Sequence, residues 1–490
     1  MNKLCLKLFF LIFSVFLYAE NFTFTSRALS DLTQSRTVDQ SSVSHESRWY
    51  RGASLLEIFP LMEDVYRFEI VTEGESFIQE EDDLAEYWAE SYLVEERGNL
   101  SLIFKDELYR DINEIRFSGT RMESRSLEVW LSWEGIRELK AEINRFARHH
   151  NLEIKTVEVP NPESKLISIV RARGEVPDLV MLQSSGVENL VLSRSVQNID
   201  YIELPDLIDS GLKAFTLNGK LWGVPFYFDT QVMFFNKRLI TRPPVGVWTL
   251  EEMESIARSI NNRNTYPLVW NAYSSNWLIP FQMAFGKDSL LDSREKITVN
   301  DTPTEKALEY LINLQSEGLL TPMERDAMDA LFIAGKVGMI MSGSYSIPYY
   351  ESLGLDFGVL PFPMNQETGR NLAPLLDFKA FCMTRQTRAP LLARRLLQYL
   401  AAPGVQQRFC PPLAKLPARR DVLGIPGLPY GYLNILEETV DTGEVTPPQH
   451  IYSIYKNNMW KLLRFALSGK MTVQETLEQG QTLMDNTTGN

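Results

Sequence analysis

An acid and an amide, Asp229 and Gln231, stand two residues apart in a run that is otherwise almost wholly aromatic and aliphatic, Phe226 to Phe235 (FYFDTQVMFF). The content and period of two predict a strand, with Phe226, Phe228, Thr230, Val232 and Phe234 on one face and Tyr227, Asp229, Gln231 and Met233 on the other. A carboxylate and an amide in such a strand must either be hydrogen-bonded inside the core or look into a polar cavity, because burying them unpaired is costly. Tyr227 beside them points to the cavity. Hydrogen-bonding groups next to aromatic faces suit a carbohydrate, whose rim carries hydroxyls and whose C–H faces pack on rings. The same pattern also fits a core strand whose polar groups are satisfied internally.

The elements around this strand decide where a cavity would lie. From Leu127 onward strands alternate with helices, which predicts an α/β fold with a mostly parallel sheet. Leu127–Leu131, Leu152–Val157 and Asp178–Leu182 read as strands, and Gly135–Arg148 and Glu163–Arg173 as helices. Thr249 with Glu252 and Thr472 with Glu475 form capping boxes for two later helices. In an open parallel sheet the ligand crevice lies beyond the carboxyl ends of the strands. Those ends carry Ser132-Trp133-Glu134, Gln183-Ser184-Ser185 and the polar loop Asn271–Asn276, and Gly343-Ser344-Tyr345 opens a helix facing the same crevice. Trp133 fits a ligand contact and a helix-entry packing residue equally well.

At 490 residues the chain allows roughly three domains. A net charge of -14 and a pI near 5.0 exclude nucleic acid and anionic membrane surfaces as partners, since both require a basic patch. Lys3 and Lys7 followed by the apolar run Leu8–Tyr18 and Ala19 read as a signal peptide over residues 1–19, implying export to a periplasm. Residues 20–48 lack hydrophobic periodicity and read as a flexible lead-in. Residues 49–125 read as a small β-rich module, with Asp83–Val94 helical within it. Beyond the signal segment only Cys382 and Cys410 remain, enough for one disulfide or two buried thiols. Four scattered histidines predict no metal site, and no cofactor loop, catalytic triad motif or internal repeat is present.

The order of motifs from Leu127 to Asp485 resembles the extracellular solute-binding proteins of ABC importers, in the branch that includes maltose-binding protein. LEVWLSWEG is similar to that family's first strand, GEVPDLVML to its Gly-x-x-Pro-Asp strand entry, and NGKLWGVPFYFDTQVMFFNKRLI to its crossover segment. VWTLEEM, LFIAGKVGMIMSGSY and the closing SGKMTVQETLEQGQ match further motifs in register. The resemblance implies a type II periplasmic-binding-protein fold of two α/β lobes, with the β-rich module as an addition. Lobe one would comprise 126–228 with 377–440 and lobe two 233–374 with 441–486, hinged at Asp229–Val232 and Leu375–Phe378. It further implies a periplasmic monomer with no catalytic activity, carrying a carbohydrate ligand to the permease subunits of an ABC importer in the membrane. Asp229 falls on the family's crossover carboxylate, Tyr345 on a stacking tryptophan, and Asn271 and Tyr273 on a ligand-binding loop. Tyr455 lies near a second stacking position, and Ser184-Ser185 replace an Asp-Arg pair. With Trp133 and Glu134 these residues form the candidate site. Rival readings are a glycosidase, which would need two carboxylates about 5 to 9 Å apart, and a sensor or adaptor that uses the fold to bind a partner or a non-sugar solute.

Overall fold

The computed structural model describes residues 19–33, 40–46, 48–59, 61–81, 84–96, 98–121, 126–204, 206–423 and 432–487. Residues 1–18 of the expected signal segment lie outside them. The central strand runs from Val224 to Asn236, longer at both ends than its aromatic core, and all 13 residues are buried. Its first half pairs antiparallel with Leu376–Phe381 of the strand Leu375–Met383. Its second half pairs with Val337–Gly343 on one edge and Phe357–Leu360 on the other.

One strand therefore belongs to two sheets. On the first side the order continues through Leu179–Gln183 and Ser126–Leu131 to Glu153–Glu158; on the second, Val337–Gly343 is followed by Tyr266–Trp270 and Leu320–Pro322. Ser126–Leu131 is parallel to both its neighbours, as is Tyr266–Trp270. This is the two-lobed α/β architecture expected. Helices close each lobe, and their ends follow the sequence signals. Thr249 and Glu252 cap Leu250–Ile260 reciprocally, and Asp301 caps Thr302–Ser316, which carries Pro303 in its first turn. Tyr432, at the head of helix Leu433–Thr442, stacks on Phe357 at 5.7 Å. The part of 377–440 from Tyr432 onward thus lies against the second lobe instead of the first.

The amino-terminal region is larger and more ordered than its composition suggests. Within the expected lead-in, Ala19–Thr25 pairs antiparallel with Ile112–Arg121, Ser26–Thr33 is helical and Ser41–His45 pairs with Arg48–Ser54. Alternate Phe22 and Phe24 stack on Phe117, which supplies the apolar face that a count of Ser and Thr conceals. Asp83–Val94 is not one helix: a 3-10 segment, Leu84–Glu90, gives way to the strand Tyr92–Glu96. Two small sheets result, of four and five strands.

These sheets share a core with the first lobe. Phe59, Phe68, Trp88 and Phe117 cluster with Leu127, Val129 and Leu131, the face of that strand opposite Trp130, and with Leu392 and Leu396 of helix Pro390–Ala401. Cys382 and Cys410 are both buried and form no disulfide with each other.

Charge ties the same junction. Arg419, fully buried, bonds both carboxylate oxygens of Glu90 at 2.5 and 2.8 Å and Asp421 at 2.8 Å, with Asp206 at 3.5 Å. Removing a buried partner in this way costs about 3–5 kcal/mol, so Arg419→Ala is expected to lower the unfolding free energy of the first lobe by that amount, read as a lower denaturant midpoint. An unchanged midpoint would show that the junction does not depend on it. Burial, opposed by Arg419 and reinforced by Asp421 and Asp206, pushes the Glu90 carboxyl up to about 7. Folding then takes up a proton at Glu90, and the stability it contributes is complete below the ordinary value of 4.5 and fades as pH rises through about 7. Glu90→Gln should remove this dependence. Parallel unfolding curves for the two proteins across that window would sink the assignment.

Candidate functional site

Where the central strand leaves the first sheet and enters the second, a cavity of about 200 Å³ opens between the lobes. Asp229, Thr230 and Gln231 line it consecutively. Strand alternation would turn Thr230 away from its neighbours. Here the partner strand changes from Leu376 to Gly343 between Thr230 and Gln231, so no continuous sheet face covers the position. The Thr230 hydroxyl is buried with no hydrogen-bond partner among the described residues, leaving its hydrogen-bonding capacity for a ligand.

Asp229 is 4 % exposed and held from both sides. Lys415 Nζ lies 2.9 and 2.8 Å from its two oxygens, and the Ser344 hydroxyl donates to Oδ1 at 3.0 Å. A carboxylate offers about four acceptor positions. Three are taken, so one remains, on Oδ2. Lys415 is itself buried, and Glu134 Oε2 is 3.3 Å from the same ammonium. Burial raises the Asp229 carboxyl above its usual range despite Lys415 and Lys379. Burial works against the Lys415 ammonium too, yet the carboxylates of Asp229 and Glu134 hold its pKa above the ordinary value. For Glu134 the balance is opposite: burial is outweighed by Lys415, and its carboxyl is lowered.

A strained turn positions Glu134. Trp133 has φ 64 and Gly135 φ 77, and positive φ is unusual for a bulky residue such as tryptophan. A side chain at Gly135 would meet Leu413 at 2.5 Å and Phe409 at 2.8 Å, so only glycine lets the turn approach the first lobe this closely. Trp133 packs against the core, with Lys379 Nζ 5.4 Å from its ring centroid. Lys379 in turn bonds Asp377 at 2.7 Å, and the Gln183 amide donates to Asp377 at 3.1 Å.

The second lobe brings Tyr345, Asn276 and Trp277 to the cavity. Tyr345 folds back on Gly343, where a Cβ would sit 2.1 Å from the ring, and carries the Arg325 guanidinium 4.5 Å from its centroid. Its ring is therefore already part of a cation–π pair. The helix His450–Leu467 contributes Tyr452 and Lys456, with the Tyr452 hydroxyl donating to Asn276 Oδ1 at 2.8 Å. Gln231 links the crossings, accepting from the Leu375 amide at 2.9 Å and donating to the Asn276 carbonyl at 3.0 Å.

Among the expected residues, Ser185, Asp229 and Tyr345 line this cavity, while Glu134 and Trp133 adjoin it through Lys415 and Lys379. Asn271 and Tyr273 stand apart from its lining: Asn271 donates to Glu324 at 2.8 Å, and Tyr273 lies under the Arg464 guanidinium at 4.8 Å. Two expectations require correction. Tyr455 is 0 % exposed in the second-lobe core with its hydroxyl on Gln282 Oε1, so Tyr452, on the next turn, takes the cavity position. Ser184 is likewise buried, donating to the Thr446 carbonyl at 3.0 Å, and Gln183 and Ser185 on either side face the cavity instead. Gln183, Asn276 and Trp277 were visible at strand and loop ends; Lys379 and Lys415 carried no sequence signal. Glu134 and Asp229 do come together, but around one shared lysine, with neither left as a free acid.

Residues 141–426 match the bacterial extracellular solute-binding protein family. The galactooligosaccharide-binding protein of Bacillus subtilis is 21% identical over 292 residues, which is 56% of this chain and 68% of that one. The maltodextrin-binding protein MdxE of the same organism is 24% identical over 271 residues, 52% of this chain and 64% of its own length. The Thermus thermophilus maltotriose binding protein, solved with maltotriose, shares the fold at a TM-score of 0.65 and 20% identity, covering 74% of this chain and 100% of that one. The family match begins beyond the amino-terminal module. With two lobes joined through a shared strand, a cleft at the crossing and a family match over more than half its length, this chain belongs to the bacterial extracellular solute-binding proteins, whose members bind substrates and are not enzymes.

Proposed function

We propose that this protein is exported to the periplasm, captures a sugar or small oligosaccharide in the interlobe cleft and delivers it to the permease subunits of an ABC importer. The observation that carries the proposal is the meeting of Tyr345 and Trp277 with the open acceptor position of Asp229, the Thr230 hydroxyl and Asn276 in one cavity. Rings and hydrogen-bonding groups in that proportion suit a polyhydroxylated ligand with apolar faces. The names of the relatives, which bind galactooligosaccharides and maltodextrins, support the same class.

Capture needs a ligand that contacts both lobes, since only differential affinity for the closed state moves the equilibrium. The crossings at Thr230–Gln231 and at Leu375, which Gln231 joins, are the hinge under this reading, and Asp229 and Tyr345 flank it.

Calorimetric titration with maltotriose and with a galactooligosaccharide tests the proposal. Saturable binding of at least one is expected. Asp229→Asn weakens a charge-assisted contact of about 1.5–3 kcal/mol, so affinity should fall by about tenfold or more, and Tyr345→Ala should weaken binding through loss of the ring. Binding that both variants leave intact would place the sugar elsewhere, and no binding of any saccharide would remove the carbohydrate reading.

A further inference from the structure

At about 200 Å³ the cavity lies below the roughly 300–1,000 Å³ that encloses most of a drug-sized ligand, and an oligosaccharide of three rings is of that size. Part of such a ligand must lie outside. Lys456 both lines the cavity and is exposed, so the mouth opens along one side of helix His450–Leu467. Residues four apart share a helix face, and from Tyr452 and Lys456 that face runs on to Trp460 and Arg464. Trp460 stands about 12 Å along the axis from Tyr452, and 41 % of it is exposed.

Contacts join this patch to the cavity wall. Arg325 packs on the Tyr345 ring at 4.5 Å, and the preceding residue, Glu324, accepts from Asn271 at 2.8 Å and pairs with Arg464 at 3.5 Å. The Arg464 guanidinium then lies 4.8 Å from the Tyr273 ring centroid and 5.8 Å from that of Trp460, which also has Lys461 Nζ at 5.7 Å. Asn271 and Tyr273 therefore border an outward continuation of the cavity on the second lobe. Tyr273 is half-buried beneath Arg464, whereas Trp460 keeps open surface at the end of the path. A large amphipathic ring held there offers an apolar face to a ligand leaving the mouth. We infer that the cargo is an oligosaccharide and not a single sugar, with one end in the cavity and its outer rings passing Lys456 to stack on Trp460. The inference rests on the carbohydrate reading of the same cleft and adds to it the length of the ligand and a distal stacking residue.

The test is calorimetric titration of the full chain with glucose and maltooligosaccharides of up to six units, and with galactose and galactooligosaccharides of up to four. In the series that binds, affinity is expected to rise with length by about tenfold, the scale of one added ring contact, and then to level off. Trp460→Ala should abolish the rise and leave the shortest bound sugar unaffected, and Trp460→Phe, which keeps a ring, should retain most of it. The ratio between lengths is the readout, so general damage to the lobe, which weakens every member alike, does not imitate the result. Affinity independent of length, or a rise that survives in Trp460→Ala, overturns the inference while leaving the carbohydrate reading standing. If no saccharide binds, both fall together.

Discussion

Backbone pairing along Val224–Asn236 is the constraint on which the molecule depends. Buried over its whole length, the strand must satisfy each main-chain N–H and C=O within the protein, and it does so by serving one sheet and then the other. At the exchange, between Thr230 and Gln231, neither sheet supplies a full face of side chains. A gap between lobes is therefore built into the topology, and the polar residues of the strand are those that border it. Gln231 uses both ends of its amide to bind the second crossing strand and the first turn of helix Ser275–Ala284. Asp229 requires a buried cation, which the segment around Lys415 supplies.

Much of this was legible in the sequence because it rests on periodic or local signals. The aromatic alternation of Phe226–Phe235, the Thr249/Glu252 cap and the strand ends at Trp133 and Gln183 each mark their element without reference to the rest of the chain. What escaped depends on register or on distant partners. Tyr455 and Tyr452 differ by less than one helical turn, and only the packing of helix His450–Leu467 decides which faces the core. Lys415 and Lys379 look like surface lysines until the fold places carboxylates beside them. Thr230 follows an alternation rule that holds for a strand in one sheet and fails where a strand changes sheets.

The amino-terminal module was misjudged for a related reason. Ser-, Thr- and charge-rich stretches between residues 20 and 48 form strands because their few aromatics find partners more than 90 residues away, as Phe22 does on Phe117. The module continues the first lobe. Arg394 bonds Glu86, Gln407 exchanges hydrogen bonds with the Ser42 backbone, and Arg419 reaches Glu90. Excising residues 20–125 would uncover the shared core and strip Arg419 of Glu90 and Arg394 of Glu86, so a deletion cannot separate a partner-presenting role from simple loss of fold.

The Asp229 carboxylate occupies an unusual position between the lobes. Lys415 and Glu134 bind it to the first, through a turn held at positive φ; Ser344, which also accepts from the Thr230 amide at 3.2 Å, binds it to the second. Under the proposed hinge at Thr230–Gln231, rotation would alter the Ser344 side of this arrangement while the Lys415 side travels with the first lobe. Lys415 cannot readily leave, because among the described residues its buried ammonium is hydrogen-bonded only to Asp229 and Glu134. The one acceptor position left on Oδ2 is thus fixed relative to the first lobe and variable relative to the second. On the proposed function, a ligand hydroxyl that fills it while the ligand touches Tyr345 would bind a closed arrangement more strongly than an open one, which is the differential contact that lobe closure requires.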